Sequence, residues 1–498
     1  MATRVAGHTS AVESRFGERR SVDRALLGAA TARRDFGAAL RRASMSPTRI
    51  LVAAALASLA TGCVAESGAP LPTGTGAFAE GEASLDEEEK ADTGWVSSID
   101  AAEVEVDIEA DVEGTSWDAH DPLEVAQFAL TYLRTHRDVY LQSLAEDYAH
   151  GTERIEWLVD GEWKTLETTP ELRTLRPTHF RMRGVSALVV NPGSRRTLGQ
   201  RSFHAIVPVS PGTLMADVGT RCGDTTGHIQ PDAQVYWYVW DPEKTGCDAR
   251  TQDIEVRVSR VLPAGERVYP ELDRLMEDGQ IDALVMFGQV GDGALSDSDY
   301  AFDLVRDFES ELTGAGFTKQ DDAPLGLRYA RTQNGVKAIV DIYTPREFAG
   351  LGDWAHIDDF DQGVRSHEIV VWNGHSMLGA SDFWSRDAIY DGDSATRYQI
   401  FLYNGCLGYE YYINPIIEGK QGWANVDVIS NALETPFAIM VEETSTALAM
   451  IFKGAERSGR GASWQAILSR MSDIAGSDAI YGASGVRDNA FRPGSVTR

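Results

Sequence analysis

Two short stretches of the 498-residue chain carry side chains able to act together as nucleophile and base. Val370-Val-Trp-Asn-Gly-His375-Ser376 and Phe401-Leu-Tyr-Asn-Gly-Cys406-Leu-Gly408 each run from apolar residues through Asn-Gly to a reactive side chain. A thiol is nucleophilic only as thiolate, and a nearby imidazole takes its proton or stabilises the anion as imidazolium. Gly374 and Gly405 permit tight turns that expose His375 and Cys406. Backbone groups around Gly374, Ser376 and Gly405, together with the N–H of Cys406, are then placed to stabilise an oxyanion. A helix starting just after Cys406 would depress the thiol pKa with its positive end. Asn373 and Asn404 read as turn formers that tolerate left-handed geometry.

Such a pair needs a scaffold that brings two strand ends together. From Pro263 onward the sequence alternates apolar strand runs with amphipathic stretches. The strand candidates are Ala283-Leu-Val-Met-Phe287, Lys337-Ala-Ile-Val-Asp-Ile-Tyr343, Glu368-Ile-Val-Val-Trp372, Tyr398-Gln-Ile-Phe-Leu-Tyr403 and Phe437-Ala-Ile-Met-Val441. A helix over 299–313 would place Leu304, Val305, Phe308 and Leu312 on one face. Strands this uniformly apolar are buried on both faces. The expected fold of the C-terminal half is therefore α/β, a three-layer sandwich with a mostly parallel sheet and right-handed crossovers. In such a sheet the ligand crevice lies outside the carboxyl ends of the strands, where both motifs deliver their reactive residues.

A strand ending in a His flanked by small residues, followed by one ending in a small residue and Cys, resembles the caspase and gingipain type of cysteine peptidase. The separation of 31 residues between His375 and Cys406 is close to that of the gingipain-like branch. The resemblance covers roughly residues 275 to 460. It implies a Cys-His dyad with Cys406 as nucleophile and His375 as general acid/base, an oxyanion site near the His, and a peptide or protein substrate. The sequence departs from the family at Ser376, where Gly is usual, and at Gly405, where Ala or Ser is commoner.

The other cysteines divide by role. Met45-Ser-Pro-Thr-Arg49, then an apolar run to Ala60, then Leu59-Ala60-Thr61-Gly62-Cys63 resemble a secretory signal ending in the bacterial lipoprotein box. The resemblance implies lipidation of Cys63, removal of residues 1–62, and export to the cell envelope, at the outer membrane or cell surface, with the lipid as the membrane contact. A mitochondrial-type presequence is the alternative reading of the Arg-rich leader. Cys222 and Cys247 sit in turn-rich stretches on either side of a strand-like run, Val235-Tyr-Trp-Tyr-Val-Trp240, and are expected to form a disulfide. Cys406 is then left over, either buried and inert or reactive and used.

Charge and composition bound the rest. The formal net charge is -29, and losing residues 1–62, with ten Arg and four acids, takes it to -35, which excludes nucleic acid as a partner. Residues 63–95, rich in Gly, Pro, Ser and acids, read as a flexible tether. Residues 96–262 read as an α+β domain with a mostly antiparallel sheet and a helix over 122–145. Residues 263–480 read as the α/β domain that resembles the caspase-like type, and 481–498 as a tail. Gly288-Gln-Val-Gly-Asp-Gly293 has the wrong glycine order for a dinucleotide loop. Asp292, Asp297 and Asp299 offer oxygen ligands for Ca²⁺, although helix N-capping by Ser296 or Asp297 explains them as well. No Cys/His spacing reads as zinc or another metal site. Two functions compete: an exported, lipid-anchored cysteine peptidase or related acyl-transfer hydrolase, and a non-catalytic surface lipoprotein whose degenerate caspase-like domain binds partners. A third is an envelope binding protein whose N-terminal sheet does the recognition.

Overall fold

Strict alternation from Val104 to Ala110 makes a strand with one dry face, and the chain builds its first sheet on it. The computed structural model describes residues 95–493, with breaks of which 142–153, 212–220, 224–238 and 377–383 are the longest. Cys63, the leader, the tether as far as residue 94 and most of the 235–240 run lie outside the described residues. In chain order the strands are β1 (Val96–Ser97), β2 (Ala101–Asp111), β3 (Val139–Leu141), β4 (Ile155–Val159), β5 (Glu162–Thr165), β6 (His179–Val190), β7 (Ser202–Pro208) and β8 (Thr251–Val261). They continue as β9 (Gln280–Phe287), β10 (Thr318–Gln320), β11 (Leu327–Gln333), β12 (Val336–Tyr343), β13 (Ile369–Asn373), β14 (Gln399–Asn404), β15 (Val426–Asn431) and β16 (Tyr481–Ser484).

The protein is mixed α/β with one antiparallel and one mixed sheet. The antiparallel sheet runs β5-β4-β6-β2-β8-β7, with β3 also paired to β6. Its buried face, led by Val104, Val106 and Ile108, packs against the helix Asp121–Arg137, which buries Leu123, Phe128 and Leu133. That helix stops earlier than the apolar spacing predicts, because Asp138 turns left-handed (φ 53°) and its N–H donates to the Leu133 carbonyl before β3 begins. Cys222 and Cys247 are joined by the expected disulfide, which closes a loop of 25 residues. Closing a loop of that length stabilises a fold by about 3 kcal/mol.

The mixed sheet runs β1-β16-β15-β14-β13-β9-β12-β11-β10. Its five central strands, β12-β9-β13-β14-β15, are mutually parallel, and the strands on either side are antiparallel. Period-2 alternation splits each central strand between two cores. Leu284, Met286, Val370, Trp372, Phe401 and Tyr403 face a core shared with the antiparallel sheet, whereas Ala283, Val285, Ile369, Val371, Ile400 and Leu402 face the other. Helices cover both faces. Ile357–Ser366 and Gly408–Tyr411 lie on the first, and Ala301–Gly314, Phe437–Glu456 and Trp464–Ala475 on the second, with Leu304, Val305, Phe308 and Leu312 buried there as their spacing predicts.

One strand assignment is overturned. Phe437-Ala-Ile-Met-Val441 opens a 20-residue helix, and the fifth parallel strand is Val426–Asn431. A short apolar run reads equally well as strand or buried helix. Pro436, extended at φ -66° and ψ 130°, occupies the N-cap position and marks the helix start.

Geometry of the candidate active site

The parallel core visits its strands in the order second, first, third, fourth, fifth, so its topological switch lies between β9 and β13. β13 and β14 are adjacent and parallel with Asn373 opposite Asn404. His375 and Cys406 each lie two residues beyond those partners, so they leave the same rim side by side, on strands about 4.8 Å apart. The two turns touch. The Ser376 hydroxyl donates to the Cys406 carbonyl, and a Cβ on Gly405 would come within 2.9 Å of Ser376 Oγ and 3.2 Å of the Gly374 carbonyl. A Cβ on Gly374 would meet the Trp372 indole at 2.9 Å. Glycine at these two positions is thus a packing requirement of the paired turns.

His375 is held across the switch point. Its Nε2 lies 2.9 Å from the Val290 carbonyl oxygen, on the loop leaving β9. A carbonyl only accepts, so Nε2 carries the proton and the neutral ring has its basic lone pair on Nδ1. Phe437 packs edge-on to the ring at 4.9 Å, and the Trp372 indole N–H donates to the His375 carbonyl at 3.1 Å. The Val290 turn is itself fixed by Asp299. That carboxylate accepts from the backbone N–H groups of Val290 (3.0 Å), Gly291 (2.8 Å) and Ala301 (3.0 Å).

Asp299 therefore has a structural role as an acceptor of backbone N–H groups. The capping expected of Ser296 or Asp297 is corrected: the helix runs Ala301–Gly314 with Tyr300 at the N-cap position, and Asp297 pairs with Arg346 at 2.5 Å. Asp292 lies outside the described residues, and among the described residues no cluster of His, Cys, Asp and Glu is arranged to hold a metal ion.

Cys406 is 6% exposed and outside any disulfide. The next residue, Leu407, is left-handed at φ 55° and ψ 33°, a conformation that costs a non-glycine residue about 1 kcal/mol or more. Surrounding bonds hold it there: the Leu407 N–H donates to Leu433 O at 2.8 Å, and Thr435 Oγ1 donates to Gly405 O at 3.1 Å. A helix does follow, but Gly408–Tyr411 is a single turn.

Beneath the turns lies a polar ladder that the sequence did not announce. Asn404 Nδ2 donates to Asn373 Oδ1 at 3.1 Å, and Thr444 Oγ1 donates to the same oxygen at 2.9 Å. The Tyr481 hydroxyl lies 2.5 Å from Asn404 Oδ1 and 2.6 Å from Glu443 Oε2. One phenol proton cannot serve two acceptors. Burial pushes the Glu443 carboxyl up to about 8, so at neutral pH it is protonated and donates to Tyr481, which donates to Asn404. Asn373 and Asn404 are strand-end residues without positive φ, so their expected role as left-handed turn formers is corrected to cross-strand hydrogen bonding.

Comparison with known proteins finds no matching family model, no matching curated protein and no matching solved structure.

Proposed function

We propose that the chain is a Cys-His acyl-transfer hydrolase, a cysteine peptidase of the caspase-like type, with Cys406 as nucleophile and His375 as general acid/base. The observation that carries this reading is the delivery of both residues by adjacent parallel strands to one rim, with His375 Nε2 anchored on Val290 O. His375 Nδ1 takes the thiol proton, and the Cys406 sulfur attacks the carbonyl carbon of a peptide bond. The imidazolium then protonates the leaving amine as the C–N bond breaks, leaving a thioester. Water, deprotonated by the same nitrogen, attacks the thioester and returns the thiol. Backbone N–H groups around Gly374, Ser376 and Gly405 are the oxyanion donors in this account.

The departure at Ser376 has a compensating use here, because its hydroxyl ties the histidine turn to the cysteine turn. A 2-1-3-4-5 parallel core with helices on both faces is compatible with the caspase-like arrangement. The disulfide is compatible with export, and lipid attachment at Cys63 completes the proposed envelope peptidase.

The low exposure of Cys406 favours a second reading, a degenerate domain that binds partners without cleaving them. A mixed peptide library incubated with the purified chain separates the two. Cleavage is expected, and replacing Cys406 with Ala should abolish it. Absence of cleavage, or cleavage that survives C406A, would reject the enzyme.

A further inference from the structure

We infer that the antiparallel-sheet half of the molecule serves as the positioning element for the thiol-bearing turn, acting through Arg134 on Glu410. This inference rests on the Cys406–His375 reading. It assigns a task to residues in which the sequence shows no catalytic group.

Arg134 lies in the last turn of the helix Asp121–Arg137, and its Nη1 donates to Glu410 Oε2 at 2.7 Å and to the Tyr411 hydroxyl at 3.2 Å. Glu410 is 1% exposed. It sits in the single helical turn Gly408–Tyr411, one turn beyond Cys406, and its N–H donates to the carbonyl of left-handed Leu407 at 3.1 Å. The hydrogen-bonded path from Arg134 to the residue after the thiol therefore has two links. A second contact acts on the same turn, since Trp95 meets Tyr409 edge-on at 4.9 Å. Trp95 precedes β1, which pairs with β16 as the outermost strand, and its indole fills the space a side chain on Gly482 would take.

Ordinary packing would hold this turn more simply. Tyr409 and Tyr411 already join the core shared by the two sheets. Burying a carboxylate to meet a guanidinium carries a desolvation cost that an apolar contact avoids. Burial pushes the Glu410 carboxyl up to about 7, and Arg134 acts against that rise. What the ion pair adds over apolar packing is a single geometry, because a charge-assisted bond has one good orientation whereas apolar surfaces slide. That geometry is needed where Leu407 is strained and the thiol must face an imidazole fixed from the other side.

The test uses the full chain with Arg134→Met, Arg134→Lys, and the double variant Arg134→Met/Glu410→Gln, which removes the stranded charge. Melting temperature is read together with the rate at which Cys406 of the folded protein reacts with a chloromethyl ketone peptide. The double variant is expected to recover most of the melting temperature lost by Arg134→Met, yet to label about 10-fold or more slowly than wild type. Arg134→Lys should fall between them. Wild-type labelling by the double variant, whatever its melting temperature, would overturn the inference and leave the pair as a structural bond alone. If Arg134→Met does not fold, the double variant and Arg134→Lys decide the matter. Wild-type protein that labels without regard to His375, or not at all, would instead reject the underlying dyad and this inference with it.

Discussion

Replacing His375 with Ala is expected to slow alkylation of Cys406 in the folded protein by about 100-fold or more at pH 7, the usual scale for loss of a positioned base. Val290 O holds Nε2–H, so the ring presents Nδ1 as its basic nitrogen. In the variant the thiol loses the group that takes its proton, so the nucleophilic thiolate no longer forms with the help of a neighbouring base. His375→Gln should not restore the rate, because an amide cannot accept the proton. Equal labelling in wild type and His375→Ala, timed by mass spectrometry of the folded proteins, would separate the two residues functionally.

Thermal unfolding is expected to move to higher temperature as pH falls from 7 to 5, by a stability change of several kcal/mol. Burial raises the carboxyl of Glu443 to about 8, Glu368 to about 8 and Asp427 to about 7. Between pH 5 and 7 the folded chain holds these protons, whereas the unfolded chain, titrating near 4, has released them. The stabilisation is therefore fully present below the unfolded pKa and is lost as pH rises through the folded values. His367, also raised in the fold despite its burial because it bonds Asp341, acts in the same sense. Asp341 acts oppositely, since bonds to Arg328 and His367 overcome desolvation and lower its pKa, but its contribution disappears only below that lowered value, outside the window. Lys420, pushed down to about 7 by burial, opposes the trend as pH approaches 7 and more strongly above it. The net charge of -29 adds self-repulsion that eases on acidification. Glu443→Gln keeps a neutral side chain beside Tyr481 and should flatten the profile. Melting temperatures that are level or falling toward pH 5 would contradict the protonation pattern.

The parts of this structure legible in the sequence are those written in local pattern. Apolar runs ending in Asn-Gly gave β13 and β14, and the helical spacing of Leu304, Val305, Phe308 and Leu312 gave the helix packed on β9. Val426–Asn431 carries no apolar strand pattern, because Asp427, Ser430 and Asn431 are polar yet fully buried. Asp427 Oδ2, for one, accepts from Tyr398, Trp464 and Asn489. Those partners lie far apart in sequence, so no window of residues reveals that the carboxylate is matched. The site divides in the same way. His375 and Cys406 carry recognisable side chains, whereas the group that orients His375 is a backbone carbonyl, which every residue has. Glu443 and Tyr481 enter through a helix and the antiparallel strand β16, which meet the site only after the sheet has formed. Arg134 is more remote still, 276 residues before Glu410.

Intact-mass analysis of the folded wild-type chain exposed to a chloromethyl ketone peptide tests the dyad most directly. One adduct per chain is expected, mapped to Cys406 and formed under native conditions despite the residue's 6% exposure. A thiol that stays silent until denaturant is added would contradict it.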